Sequence, residues 1–185
     1  MKNDYLLTTE RLGLRRWAPP DTAPFAEMNA DKEVMRFFPA PLSSNESENF
    51  IDRIEKHFDE QGFGLYAVDE LSSEEFIGMI GLQNFDLKTD FSPGMEIGWR
   101  LRRESWGKGY ATEGAKECLR YCFEDLKLNK IFSFTATINL PSIAVMKRIG
   151  LNYVKEFGHP KLDPAHELYT HVLYSISRKE FLRTR

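Results

Sequence analysis

The chain has 185 residues, 42% of them hydrophobic and 29% charged. That mixture suits one packed domain over residues 1–185 and excludes a disordered chain. Its 25 basic and 28 acidic residues leave a net charge of −3, which argues against nucleic-acid binding as the main task. No apolar run approaches a membrane span and the first residues lack the apolar stretch of a secretory signal, so a cytoplasmic protein without membrane partners is expected.

In chain order, Arg11 to Trp17 alternates and reads as a first strand. Pro19, Pro20 and Asp21 predict a turn and an N-cap for a helix to about Met28. Asp31 to Phe38 (DKEVMRFF) reads as a short amphipathic helix ended by Pro39, and Pro39-Ala40-Pro41 as an extended bend. Ser44 is expected to cap the next helix, whose stripe is Phe50, Ile51, Ile54 and Phe58 and whose stop is Gly62. Leu65–Val68 and Phe76–Leu82 predict an antiparallel hairpin across the polar loop Asp69 to Glu75. Gly78 and Gly81 mark either a bulge or the close approach of a ligand to that strand. Asp86 to Gly94 reads as a loop.

The central stretch runs from Met95. A β-type run, Ile97 to Leu101, is followed by the charged bend Arg102 to Ser105 and the turn Trp106-Gly107-Lys108-Gly109-Tyr110-Ala111. Apolar residues then fall at Ala111, Ala115, Cys118, Leu119, Cys122 and Phe123, a helical spacing. A helix start offers unpaired N–H groups and the positive end of the dipole, glycines let a phosphate come close, and Lys108 adds charge. A pyrophosphate cradle and an ordinary glycine-containing connection both fit this spacing. The P-loop pattern fails because Tyr110 follows Gly109, and the dinucleotide fingerprint fits poorly. Cys118 and Cys122 are expected as small buried hydrophobes, with neither a disulfide nor a metal site.

Further on, Ile131–Thr137 predicts a strand, Ser142–Ile149 a short helix, Leu151–Glu156 a strand, and His171–Ile176 the last strand. His159, His166 and His171 do not share one helical face, and Pro160 and Pro164 make their stretch irregular, so a loop is expected rather than a metal centre. The pattern is α/β, a mixed sheet covered by helices.

The run Trp106-Gly107-Lys108-Gly109-Tyr110-Ala111-Thr112-Glu113 resembles the acetyl-CoA loop of GNAT N-acetyltransferases. Trp106 stands where Gln or Arg is usual, as in the branch resembling ribosomal-protein alanine N-acetyltransferases. Asn139, Ser142 and Val145 to Leu151 resemble that branch's downstream motif, and Leu7 to Trp17 its entry. The resemblance implies a mixed, mostly antiparallel sheet of about seven strands, splayed where the strand ending at Leu101 leaves the strand at Ile131 to Thr137. It implies acetyl-CoA as cosubstrate, with Trp99 and Leu101 on the pantetheine arm through main-chain atoms. Gly107, Lys108, Gly109, Tyr110, Ala111 and Thr112 would hold the pyrophosphate, with Asn139 opposite. The first two helices and their loop, including Phe37, Phe38 and Phe63, would wall the acceptor side.

The implied reaction is attack of an amine, a protein N-terminus or a small molecule, on the acetyl thioester by a monomer or homodimer. Glu96 is the candidate base and a strand-edge salt bridge its alternative. Met146 stands where many relatives carry a thiolate-protonating Tyr, which leaves Ser142, alternatively an N-cap, with Tyr153 as a weaker substitute. Two other readings stand beside this one: amino-sugar or polyamine acetylation, and a non-catalytic acyl-CoA-binding module.

Overall fold

The computed structural model describes residues 4–183. The described residues form two compact units, one running to Leu82 together with Gly98–Cys118, the other Gln83–Ile97 together with the residues from Leu119 on. The first contains β1 (Leu7–Thr8), β2 (Leu12–Arg15), α1 (Thr22–Ala30), α2 (Ser44–Gln61) and β3 (Leu65–Glu70). It also holds most of β4 (Glu75–Phe85), the second half of β5 (Gly94–Leu101) and most of α3 (Tyr110–Arg120). The second contains β6 (Lys130–Ala136), α4 (Leu140–Arg148), β7 (Asn152–Gly158), β8 (Thr170–Ser177) and α5 (Arg178–Arg183).

Hydrogen-bonded strand order is β1-β2-β3-β4-β5-β6-β8-β7, eight strands rather than about seven because Leu7–Thr8 pairs on the edge of β2. The β1–β2, β2–β3, β3–β4, β6–β8 and β7–β8 pairings are antiparallel and β5–β6 is parallel. The sheet is therefore mixed and mostly antiparallel, as expected.

In the first unit, Leu12 and Leu14 of β2 are fully buried because alternation turns both to the core. The β3–β4 hairpin is present, with a register shift at Val68/Asp69 opposite Gly78. A Cβ on Gly78 would lie 2.3 Å from the Arg100 carbonyl, and one on Gly81 2.2 Å from that of Gly64. These glycines thus admit neighbouring backbone. Helix α2 begins with a capping box between Ser43 and Glu46, one residue before the expected Ser44 cap, and ends at Gly62 with φ +78°. Residues 31–38 are turns, not the expected helix: Met35 N–H bonds Asp31 O at 3.0 Å and Phe38 N–H bonds Met35 O at 2.8 Å. The Asp31 side chain caps this turn through the Glu33 N–H at 2.8 Å, and Pro39 blocks extension beyond Phe38.

In the second unit, β6 and β8 share seven register pairs, whereas β5 and β6 share one, Glu96↔Phe132. Brief pairing is what the expected splay requires. The core joins Phe85, Phe132 and Leu173, with Phe91, Phe134 and Phe157 packed on it. Helix α3 runs into a π-helical turn, Tyr121–Asp125, that buries Cys122 and Phe123. Both cysteines are buried and outside any disulfide, and burial pushes the Cys122 thiol up, so it is no thiolate.

Candidate active site

The turn after β5 is shaped by two left-handed glycines, Gly107 at φ +73° and Gly109 at φ +84°. A Cβ on Gly107 would meet nothing within 4 Å, and one on Gly109 only Arg11 Nη2 at 3.6 Å. The glycines are therefore demanded by backbone conformation, and the space above them is open. The Glu113 N–H bonds Gly109 O at 3.0 Å, so the N–H groups of Tyr110, Ala111 and Thr112 precede the helical ladder of α3. Lys108 is exposed. Open glycines, a helix start and an exposed ammonium suit a diphosphate, so these residues fit coenzyme A.

What stiffens this turn comes from far away in the chain. Arg11 Nε donates to Glu113 Oε2 at 2.7 Å and Nη1 to Lys108 O at 3.0 Å. Glu113 Oε1 accepts from the Arg11 N–H at 3.0 Å and the Thr9 hydroxyl at 2.6 Å. Burial pushes the Glu113 carboxyl up, but these donors outweigh it and hold it below its ordinary value. The Arg11 guanidinium also stacks on the Tyr110 ring at 4.6 Å, while the Tyr110 hydroxyl donates to Glu70. Trp106, the residue departing from the usual motif, donates its indole N–H to Leu101 O at 2.9 Å and so fastens the turn to the end of β5. Sequence alone pointed to Tyr110 and Glu113 through the motif, but nothing marked Thr9, Arg11 or Glu70 as their partners. Trp99 is half-buried and Leu101 buried in β5.

Glu96 lies half-buried on the first half of β5. Burial pushes its carboxyl up to about 7, although Gln83 Nε2 donates to it at 2.9 Å. Among the described residues no cation pairs with it, so the strand-edge salt bridge weighed as its alternative is absent. Gln83 was invisible to the sequence reading because an isolated Gln in a strand carries no signal. Beside it, the Ser133 hydroxyl donates to Ile97 O at 2.9 Å.

Asn139, not Ser142, caps α4: its Oδ1 accepts the Ser142 N–H at 3.3 Å while its Nδ2 donates to Thr135 Oγ1 at 2.8 Å. Ser142 is half-buried in the first turn with a hydroxyl not spent on capping. Met146 is buried core at 1% exposure, whereas Tyr153 on β7 is 57% exposed. His159 and His171 stack at 4.8 Å, and burial brings His171 down to about 4. No group of three or more metal-binding side chains occurs among the described residues. Phe63 is buried core, while Phe38 is 37% exposed and Phe37 half-buried.

On a mixed sheet, the open left-handed glycine turn at the start of α3 suits a phosphorylated cosubstrate. The family model of the acetyltransferase (GNAT) domain matches residues 11–152, and the chain belongs to that family, whose members transfer acetyl from acetyl-CoA. Over 175 residues it is 27% identical to the uncharacterized N-acetyltransferase YnaD of Bacillus subtilis, covering 95% of this chain and 98% of YnaD. Over 89 residues it is 44% identical to the FsC-acetyl coenzyme A-N(2)-transacetylase of Aspergillus fumigatus, covering 48% of this chain and only 38% of that protein. It is 38% identical over 73 residues to YdaF of Bacillus subtilis, described as a putative ribosomal N-acetyltransferase, covering 40% of this chain and 38% of YdaF. A GNAT acetyltransferase structure from Bacillus anthracis superposes with a TM-score of 0.76 at 26% identity, covering 94% of this chain and 98% of that one. No helix among the described residues is long and apolar enough to cross a membrane.

Proposed function

We propose that this protein acetylates a primary amine with Glu96 as general base, and that residues 107–112 hold the diphosphate of acetyl-CoA. The observation that carries the reading is the Glu96 carboxyl, brought by burial to about 7, where it is ionised in a substantial fraction at neutral pH. A protonated amine is no nucleophile, so a base near neutrality serves the attack. Acetyl-CoA supplies the thioester. The amine nitrogen bonds to the carbonyl carbon, the carbon–sulfur bond breaks, and the amine's surplus proton goes to Glu96, directly or through a water. Ser142 is assigned as the donor to the departing thiolate, a reading supported by its hydroxyl being free of the cap, and Tyr153 is the second choice because of its exposure.

Trp99 and Leu101 main-chain groups are assigned to the pantetheine arm. The Leu101 carbonyl is shared with Trp106, which turns that contact toward its N–H. Asn139 is assigned to the same cosubstrate, its amide held in orientation by Thr135. Residues 1–185 are read as one domain, since the family match spans residues of both units. Two buried cysteines outside any disulfide support a reducing, cytoplasmic setting, and the net charge of −3 supports a partner other than nucleic acid. A monomer or homodimer suffices for this chemistry. A non-catalytic acyl-CoA module has no use for a carboxyl tuned to neutrality.

A thiol-release screen with acetyl-CoA against N-terminal peptides, amino acids, polyamines and aminoglycosides tests the proposal. At least one amine class should release CoA in the wild type and lose that release in Glu96→Gln. Turnover that survives the substitution undiminished removes Glu96 from the role.

A further inference from the structure

Two arginines of the first unit are withdrawn from solvent, Arg15 half-buried and Arg100 buried, and they are treated oppositely. Arg15 is held between Asp21 and Asp69, with Nη1 2.6 Å from Asp21 Oδ2 and Nε 2.7 Å from Asp69 Oδ2. Its remaining N–H groups reach the same two carboxylates at 2.9 and 2.8 Å. Arg100, on β5, is only 8% exposed, yet among the described residues no carboxylate pairs with it. Among the described residues its side chain makes one hydrogen bond, from Nη1 to Asn29 Oδ1 at 2.6 Å, and its Nε has no partner. The guanidinium lies 4.2 Å from the Phe38 ring and 5.8 Å from that of Phe50. Burial alone moves it, down to about 10, so it remains charged at neutral pH.

A buried cation without a counter-charge is costly, whereas one that a ligand neutralises on arrival is a recognition device. The surroundings fit arrival. Phe38, which flanks the guanidinium, is 37% exposed. Gly98, two residues earlier on the same face of the strand, leaves open space: a Cβ there would meet nothing within 4 Å. The face offered is planar, with an unmet Nε–H beside the terminal nitrogens, and this is the fork that matches the two oxygens of a carboxylate. Arg100 also sits between Trp99 and Leu101, the residues assigned to the pantetheine arm, so an anion held by it lies beside the cosubstrate strand.

We propose that Arg100 anchors the carboxylate of the acceptor, so that the substrate is an amine that also carries a carboxylate. This rests on the acetyl-transfer reading above and specifies its substrate class. Two sources share the chemistry: a free amino acid, or a peptide N-terminus followed by an acidic residue.

The test compares matched acceptors by thiol release. Amino acids of increasing amine-to-carboxylate spacing (α-amino acids, γ-aminobutyrate, 6-aminohexanoate) are each paired with their amides. Tetrapeptides with Asp or Asn in second place form the other arm. The wild type should favour an acid over its amide by about 10²-fold in kcat/KM. Arg100→Gln should collapse that preference to within about threefold, chiefly by raising KM for the acid, while KM for acetyl-CoA and the rate with the amide stay near wild type. Arg100→Lys should retain part of the preference, because a point charge replaces the fork. Whichever arm shows the preference names the source.

If acid and amide are used equally by the wild type, or if Arg100→Gln depresses both in proportion, Arg100 is structural and the proposal is overturned while acetyl transfer stands. If no amine of either arm or of the wider panel releases thiol, the acetyl-transfer reading falls and this one with it. Folding is monitored separately by thermal unfolding: loss of an uncompensated charge should leave Tm unchanged or raise it. A large fall in Tm would show that the cation is needed by the fold, which also counts against an anchor.

Discussion

The amide of Gln83 gives the sharpest handle on the Glu96 assignment. It donates at 2.9 Å to a carboxyl that burial has already moved from 4.5 to about 7. That bond opposes the burial shift, because it favours the ionised form. A hydrogen bond to a charged group is worth ~1.5–3 kcal/mol, which at ~1.4 kcal/mol per pH unit corresponds to about 1–2 units. Gln83→Leu should therefore move the limb at which kcat/KM rises with pH from about 7 to roughly 8–9. Activity at pH 7 should fall while the plateau at high pH is largely kept. Glu96→Gln should remove the limb and lower the plateau by about 10²–10⁴-fold, the usual contribution of a general base. The assay is initial-rate thiol release from pH 5.5 to 9.5 with two acceptors of different amine pKa. A limb that moves with the substitution and not with the acceptor belongs to the enzyme. If Gln83→Leu leaves the limb in place, or Glu96→Gln stays within twofold, the reasoning is refuted. Stability gives an independent reading. The folded state binds this proton more tightly than the unfolded chain does, so the contribution is fully present below pH 4.5 and is lost as pH rises toward 7. The loss is bounded at about 3 kcal/mol, and the Tm advantage of Glu96→Gln over wild type should grow across that window.

Gly109→Ala forces a side chain into a left-handed conformation, costing ~1–2 kcal/mol, and should abolish the thermal shift given by CoA, as differential scanning fluorimetry will show. Arg11→Ala frees the Lys108 carbonyl and the Glu113 carboxylate, and should raise KM for acetyl-CoA about tenfold (~1.4 kcal/mol) with kcat within twofold, a split readable in steady-state kinetics. Asn139→Ala removes the α4 cap, worth ~1 kcal/mol, and should lower Tm by ~2–4 °C in thermal unfolding.

Where the fold was written locally, the sequence reading reached it. The β3–β4 hairpin and the strand–turn–helix unit declare themselves through alternation, glycines and helical spacing within a few residues. Residues 31–38 misled because their apolar spacing is helical, yet a stretch this short, closed by Pro39, does not offset the cost of helix nucleation. The two-residue β1 was too short to show a period. At the site, the motif identified the turn, but the tuning of Glu96 depends on burial and on Gln83, neither of which leaves a trace in spacing. Ser142 was read as the proton donor to the thiolate with an N-cap as its alternative, and only geometry decides that Asn139 takes the cap. Arg100 fell inside the β-type run Ile97 to Leu101, where nothing in the spacing gave it a role. That its neighbours would be rings and an amide, rather than carboxylates, is a fact of packing.

The clamp of Thr9 and Arg11 upon Glu113 spans about a hundred positions. It makes cosubstrate affinity a long-range property. An excised fragment carrying strand, turn and helix would keep every letter of the motif yet lack the brace that fixes its curvature. Alterations near the amino terminus, such as a fused tag or a later start codon, will accordingly register as weakened nucleotide capture before any effect on the chemistry.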